Sequence, residues 1–159
     1  MDKLVFFLGK WKGKGVVLEK GVQYLEESTY IQLRSSPAIV INAQQFTKHA
    51  ETGAPLHAEN GFIKILPLMD GVARVEASFS HPFSLNEFEF GTFGDNTLTI
   101  EASLPEHFQR GKTAKGKQTT GLKREYWLNE NGNLCYRIHL AVDGGELIPH
   151  LECEMEKQE

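Results

Sequence analysis

Side chains of alternating polarity, cut into short runs by turn residues, dominate the chain. In a strand successive side chains point to opposite faces, so such alternation reads as β-structure with one face buried. The first run, residues 9–18, places Gly9, Trp11, Gly13 and Gly15 on one face and Lys10, Lys12 and Lys14 on the other. Bare glycine inside a strand marks a bend or a close approach of backbone, and barrels need such bends to close. Residues 22–33 set Leu25, Ile31 and Leu33 against Glu26, Ser28 and Gln32. Further strands are predicted at 38–47, 56–67, 72–79, 85–93, 97–104, 118–128, 134–142 and 146–157. In the sixth of these runs Phe88 and Phe90 oppose Glu87 and Glu89. Met69-Asp70-Gly71, Gly94-Asp95-Asn96 and Asn129-Glu130-Asn131-Gly132 supply hairpin turns. Residues 105–116 form the longest irregular stretch, of a length that often serves as a lid or rim. Residues 2–8 read as a short N-terminal helical turn, capped by Asp2 and plugging one end of the fold.

About ten short strands at regular spacing, with almost no helical periodicity, predict an all-β antiparallel sandwich or barrel. Short sequential turns favour up-and-down order, and a closed barrel of this strand number needs bulky side chains or a ligand inside.

Composition narrows the classes. A length of 159 residues fits a single domain, 1–159, that folds without metal or disulfide. A net charge of −4 argues against a general nucleic-acid binder, although residues 109–124 are locally basic. Cys135 and Cys153 allow one bridge at most, too few for a secreted disulfide framework. No apolar run reaches the ~20 residues of a membrane helix. A cytoplasmic protein, or alternatively a nuclear one, is expected. Cys135, His139, His150 and Cys153 match no common zinc spacing. The sequence holds neither a GK[ST] phosphate loop nor a nucleophile elbow.

Four motifs carry a resemblance. Gly9-x-Trp11-x-Gly13-x-Gly15 is similar to the GxWxGxG signature of the nitrobindin family of haem-binding β-barrels. Tyr24-Leu25-Glu26-Glu27 resembles the second strand of that family. Residues 51–62 resemble its ETGxPxHxExGF segment, and Leu147-Ile148-Pro149-His150-Leu151 its closing LxPHL. The motifs occur in the family's order over almost the whole chain, which also resembles the nitrobindin-like domain of THAP-type proteins.

The resemblance implies an up-and-down barrel of lipocalin and fatty-acid-binding-protein shape, with one b-type haem per chain, normally ferric. It implies His150 as proximal iron ligand and His57 as the distal catalytic partner. Leu56, His81 and Leu140 map to pocket-lining positions, and Trp11, Gly13 and Gly15 to the haem-binding signature. The implied activity is nitric oxide binding and isomerisation of peroxynitrite to nitrate, by a monomer or homodimer. The alternatives are a carrier of an apolar ligand such as a fatty acid, and a haem-based nitric-oxide sensor. Neutral imidazole is a standard axial ligand, and Pro149 belongs at a strand start or bulge. Strict alternation groups His150 with Glu152, Glu154 and Glu156; a bulge just after His150, or a site at the rim, reconciles it with an inward position. His57 shares a face with Glu59 and Gly61. One departure stands out: the family's loop with a Tyr-Pro-Thr element is replaced by the shorter residues 16–23, where Lys20 offers a cation for a propionate.

Overall fold

The computed structural model describes residues 5–159. The strands are β1 (Gly9–Val17), β2 (Val22–Arg34), β3 (Ile39–His49), β4 (Pro55–Ile65), β5 (Ala73–His81), β6 (Leu85–Gly94), β7 (Thr97–Ala102), β8 (Phe108–Arg110), β9 (Thr119–Leu128), β10 (Leu134–Val142) and β11 (Ile148–Gln158). The order β5-β4-β3-β2-β1-β11-β10-β9-β7-β6 returns to β5 through a β5–β6 ladder, closing an antiparallel barrel of ten strands. Closure leaves no edge along the main ladder. The extra strand, β8, pairs only with the start of β6.

Trp11, Gly13 and Gly15 show why β1 needs glycine. A Cβ on Gly13 would lie 1.9 Å from the Glu154 carbonyl oxygen and 2.5 Å from Met155 Cα. A Cβ on Gly15 would lie 2.1 Å from the Tyr24 ring. Trp11 is buried on the inner face, and its Nε1–H donates to the Phe7 carbonyl at 2.8 Å. Lys10, Lys12 and Lys14 are exposed.

Residues 5–8 make a single turn that inserts Val5 and Phe7 into one end of the barrel. Phe7 packs edge-on against Tyr30 and Phe93. The Asp2 cap expected for this turn lies outside the described residues. Residues 105–116 are more ordered than an open lid: Pro105–His107 is a 3-10 turn, β8 follows, and Gly111 N–H donates to the Ser84 carbonyl at 2.8 Å. Cys135 and Cys153 are both free thiols. Among the described residues no helix is long and apolar enough to cross a membrane.

The alternating sets hold, but several polar sets face inward. Glu87 and Glu89 are 1% and 0% exposed, whereas Phe88 and Phe90 are 55% and 42% exposed. On β2, Tyr24, Glu26, Ser28 and Tyr30 are buried, while Ile31 and Leu33 face outward. The barrel interior is thus apolar at the end closed by Phe7 and polar toward the other end, which stays open.

Candidate functional site

The open end holds a cavity of about 300 Å³, the lower end of the range for small-molecule sites. Its apolar wall includes Leu56, Phe83, Leu122, Ile138, Leu140 and Leu151. Its polar groups include His57, His81 and His150, with Tyr24, Glu59 and Arg124 deeper in.

His150 arrives there through a bulge. Ile138 of β10 pairs with Leu151 and His139 pairs with Pro149, so His150 is the extra residue of β11. Such a residue bends its strand and redirects its side chain. Glu154 and Glu156 beyond it remain exposed. The His150 carbonyl accepts from Leu18 N–H at 2.8 Å, which ties the bulge to the β1–β2 turn. The same turn presents Glu19, whose Oε1 and Oε2 lie 2.8 and 3.1 Å from His150 Nδ1. A carboxylate only accepts, so in the neutral ring Nδ1 carries the hydrogen and Nε2 keeps its lone pair. Slight burial acts to raise the Glu19 pKa, but its backbone hydrogen bond and the His150 ring together hold it below the ordinary value.

Across the cavity, His81 Nε2 lies 3.0 Å from Glu87 Oε1, and His81 Nδ1 lies 3.1 Å from His57 Nε2. With Glu87 accepting, neutral His81 presents a bare Nδ1, and the hydrogen between the rings belongs to His57. Arg124 anchors the cluster from β9. Its guanidinium is paired with both oxygens of Glu59, with Glu87 Oε1 at 2.8 Å and with Glu89 Oε1 at 2.9 Å. Burial works to raise the pKa of Glu59, but Arg124 and the neighbouring imidazoles pull it well below the ordinary carboxylate value. Glu87 is also lowered: burial opposes, while His81 and Arg124 prevail. Burial and its acidic neighbours drive Glu89 the other way, well above the ordinary carboxylate value, against the pull of Arg124.

A second buried group lies beneath Tyr24 and Gln45. Glu26 Oε2 accepts from Ser28 Oγ and its Oε1 from Gln45 Nε2, both at 2.7 Å, and Oε1 also accepts from the Tyr136 hydroxyl. Tyr24 and Tyr136 hydroxyls lie 2.7 Å apart. Burial, only partly offset by these donors, pushes Glu26 up to about 7.

Of the residues singled out from sequence, His150, His57, Leu56, His81 and Leu140 meet at this cavity. Trp11, Gly13 and Gly15 do not line it; Trp11 packs in the core, and a Cβ at either glycine would strike backbone or the Tyr24 ring. Sequence reasoning missed Glu19, Glu87, Glu89 and Arg124. The available signal was register: Glu87 and Glu89 alternate with phenylalanines, a pattern that taken locally turns the phenylalanines inward. Lys20 sits beside Glu19 in the exposed turn and does not line the cavity.

A family model described as the THAP4-like, heme-binding beta-barrel domain matches residues 1–157. Peroxynitrite isomerase 2 of Mycobacterium marinum is 29% identical over 161 residues, which cover 99% of this chain and 94% of the relative. Peroxynitrite isomerase 1 of Mycolicibacterium paratuberculosis is 30% identical over 155 residues, covering 95% and 90%. The crystal structure of Rv2717c from M. tuberculosis superposes with a TM-score of 0.73 at 26% identity, covering 97% of this chain and 94% of that one.

Proposed function

Since the chain belongs to the THAP4-like, heme-binding beta-barrel family, we propose that it holds one ferric b-type haem through His150, binds nitric oxide, and isomerises peroxynitrite to nitrate. The observation that carries this reading is His150 itself, an imidazole placed by a bulge at an apolar cavity, with Nδ1 on Glu19 and Nε2 available. The residues suit the group: a flat apolar macrocycle needs an apolar wall and one nitrogen donor, and both are present. When bound, ferric haem supplies an open Lewis-acidic position for a small anion.

Peroxynitrite and nitrate have the same atoms and the same charge. The chain therefore has to supply no net proton and no electron; it has to hold the anion and exclude water. Glu19 fixes the His150 tautomer and strengthens Nε2 as a donor, as carboxylate partners of ligating histidines do. Leu56, Phe83 and Leu140 give the cavity apolar walls. On the opposite wall, Glu87 holds His81, and His81 holds the His57 ring. A turn of that ring redirects its N–H to an anion and steadies it. The relatives named peroxynitrite isomerase, at about 30% identity, support the substrate.

The test is a hemin titration of the purified protein. A shifted Soret band that disappears in His150→Ala is expected, together with faster peroxynitrite decay in stopped flow for the loaded wild type alone. Haem and nitric oxide binding without faster decay would identify a sensor. Absence of the shift, with displacement of a fluorescent fatty acid, would identify a lipid carrier.

A further inference from the structure

We propose that His57, Glu59 and His81 form a second, non-haem metal site, a two-histidine, one-carboxylate set for a zinc-like divalent cation that opens on the same cavity. This does not rest on the haem reading, because His150 takes no part in it.

The geometry comes first. His57 Nε2, His81 Nδ1 and Glu59 Oε2 are separated by 3.1, 3.7 and 3.7 Å, and cation binding moves the His57 hydrogen from Nε2 to Nδ1 so that Nε2 offers its lone pair. Bonds of about 2.1 Å to nitrogen and oxygen give ligand–ligand edges of roughly 3.0 Å in octahedral and 3.4 Å in tetrahedral coordination. The triangle is therefore closest to a tetrahedral face, which needs roughly 0.3 Å of contraction on two edges and roughly 0.3 Å of lengthening on the third. Strand register makes it: His57 and Glu59 share a face of β4, and His81 ends β5 beside them.

The outer partners are those a metal site requires. A ligating histidine donates its other N–H to a carboxylate. His81 does so through Nε2 to Glu87 at 3.0 Å, which leaves Nδ1 as a lone pair aimed at His57 and Glu59. Arg124 Nη2 holds Glu59 Oε2 at 2.9 Å, so the carboxylate is oriented yet keeps a lone pair for a cation.

Charge gives an independent reason. Two ionised carboxylates, Glu59 and Glu87, share one guanidinium beside the proton-favouring Glu89, and Glu87 Oε2 is buried without a hydrogen-bond partner among the described residues. Buried charge needs a counter-charge. A divalent cation against Glu59 supplies it. All three ligands line the cavity, so a cation can enter, and its further coordination positions face the space where a small anion or water binds. Two nitrogens and one carboxylate with open positions suit zinc and its first-row neighbours, not calcium or magnesium.

Haem-free, EDTA-treated protein titrated with Co²⁺ provides the test. One Co²⁺ per chain is expected, seen as visible d–d absorption and chased by Zn²⁺. Affinity should fall by about tenfold or more in His57→Ala and in His81→Gln, and stay unchanged in His150→Ala. His57 is only half-buried, so its variant keeps the fold, which far-UV circular dichroism checks. Failure of the wild type to bind, binding unaltered in both histidine variants, or binding abolished by His150→Ala would each overturn the proposal. Soret titrations of the same variants report on haem separately, so the two readings fail independently.

Discussion

At Glu26, burial and hydrogen bonding pull in opposite directions. Burial wins, lifting the carboxyl from 4.5 to about 7 in the folded chain. A raised folded pKa means that the protonated form is the one the fold favours. The associated stability is complete below about pH 4.5 and is lost as pH rises through about 7. At about 1.4 kcal/mol per unit, the loss amounts to roughly 3 kcal/mol. Urea denaturation should therefore show Glu26→Gln gaining on the wild type by about that amount between pH 4.5 and pH 8. A constant difference across that range would show that Glu26 titrates normally. Glu59 and Glu87 have the opposite sign: their stability is present above the ordinary carboxylate range and is lost as pH falls through their lowered values. None of this was legible residue by residue. Glu26 and Ser28 look like a wet face beside Leu25 and Ile31, and Phe88 and Phe90 look like core beside Glu87 and Glu89. Alternation separates two faces, but it does not say which one turns inward when the interior must accommodate a polar cluster.

Strands as elements were readable to within a few residues, because hairpin turns with glycine or asparagine bracket them. The exception was β8, three residues too short to leave a periodic trace and held only by the start of β6. Pairing also made the difference at β11. Its bulge exists because β10 matches Leu151 and Pro149 and passes over His150. The β1–β2 turn then matters as a unit, because it carries Glu19 against His150. Removing this contact frees the ring to choose its tautomer and to rotate. Glu19→Ala should weaken haem binding by about tenfold or more in a hemin titration. Its melting temperature should hardly change, since the Glu19 side chain is 34% exposed.

For the whole molecule, closure is what assembles the polar cluster. Glu59 comes from β4, His81 from β5, Glu87 and Glu89 from β6, and Arg124 from β9. Arg124 also lies 4.4 Å from the centre of the Phe79 ring, and its side chain is 2% exposed. Truncating it leaves buried carboxylates without their counter-charge. Arg124→Ala should cost about 3–5 kcal/mol, the range for breaking a buried ion pair from one side. In urea this should appear as a lower midpoint with little change in slope. A loss below about 1 kcal/mol, the range of exposed pairs, would mean that the cluster relaxes into solvent.

The succession of strands, the turns and the family motifs belong to the chain itself, because each depends on local backbone preference or on neighbours a few residues away. Which face of β2 and β6 turns inward, which residue of β11 is extra, and which acid meets which base depended on partners far apart in sequence. Glu59 and Arg124, 65 residues apart, meet only once the ring of strands has closed. Local periodicity carries no information about such a meeting, and the chemistry of the open end follows from it.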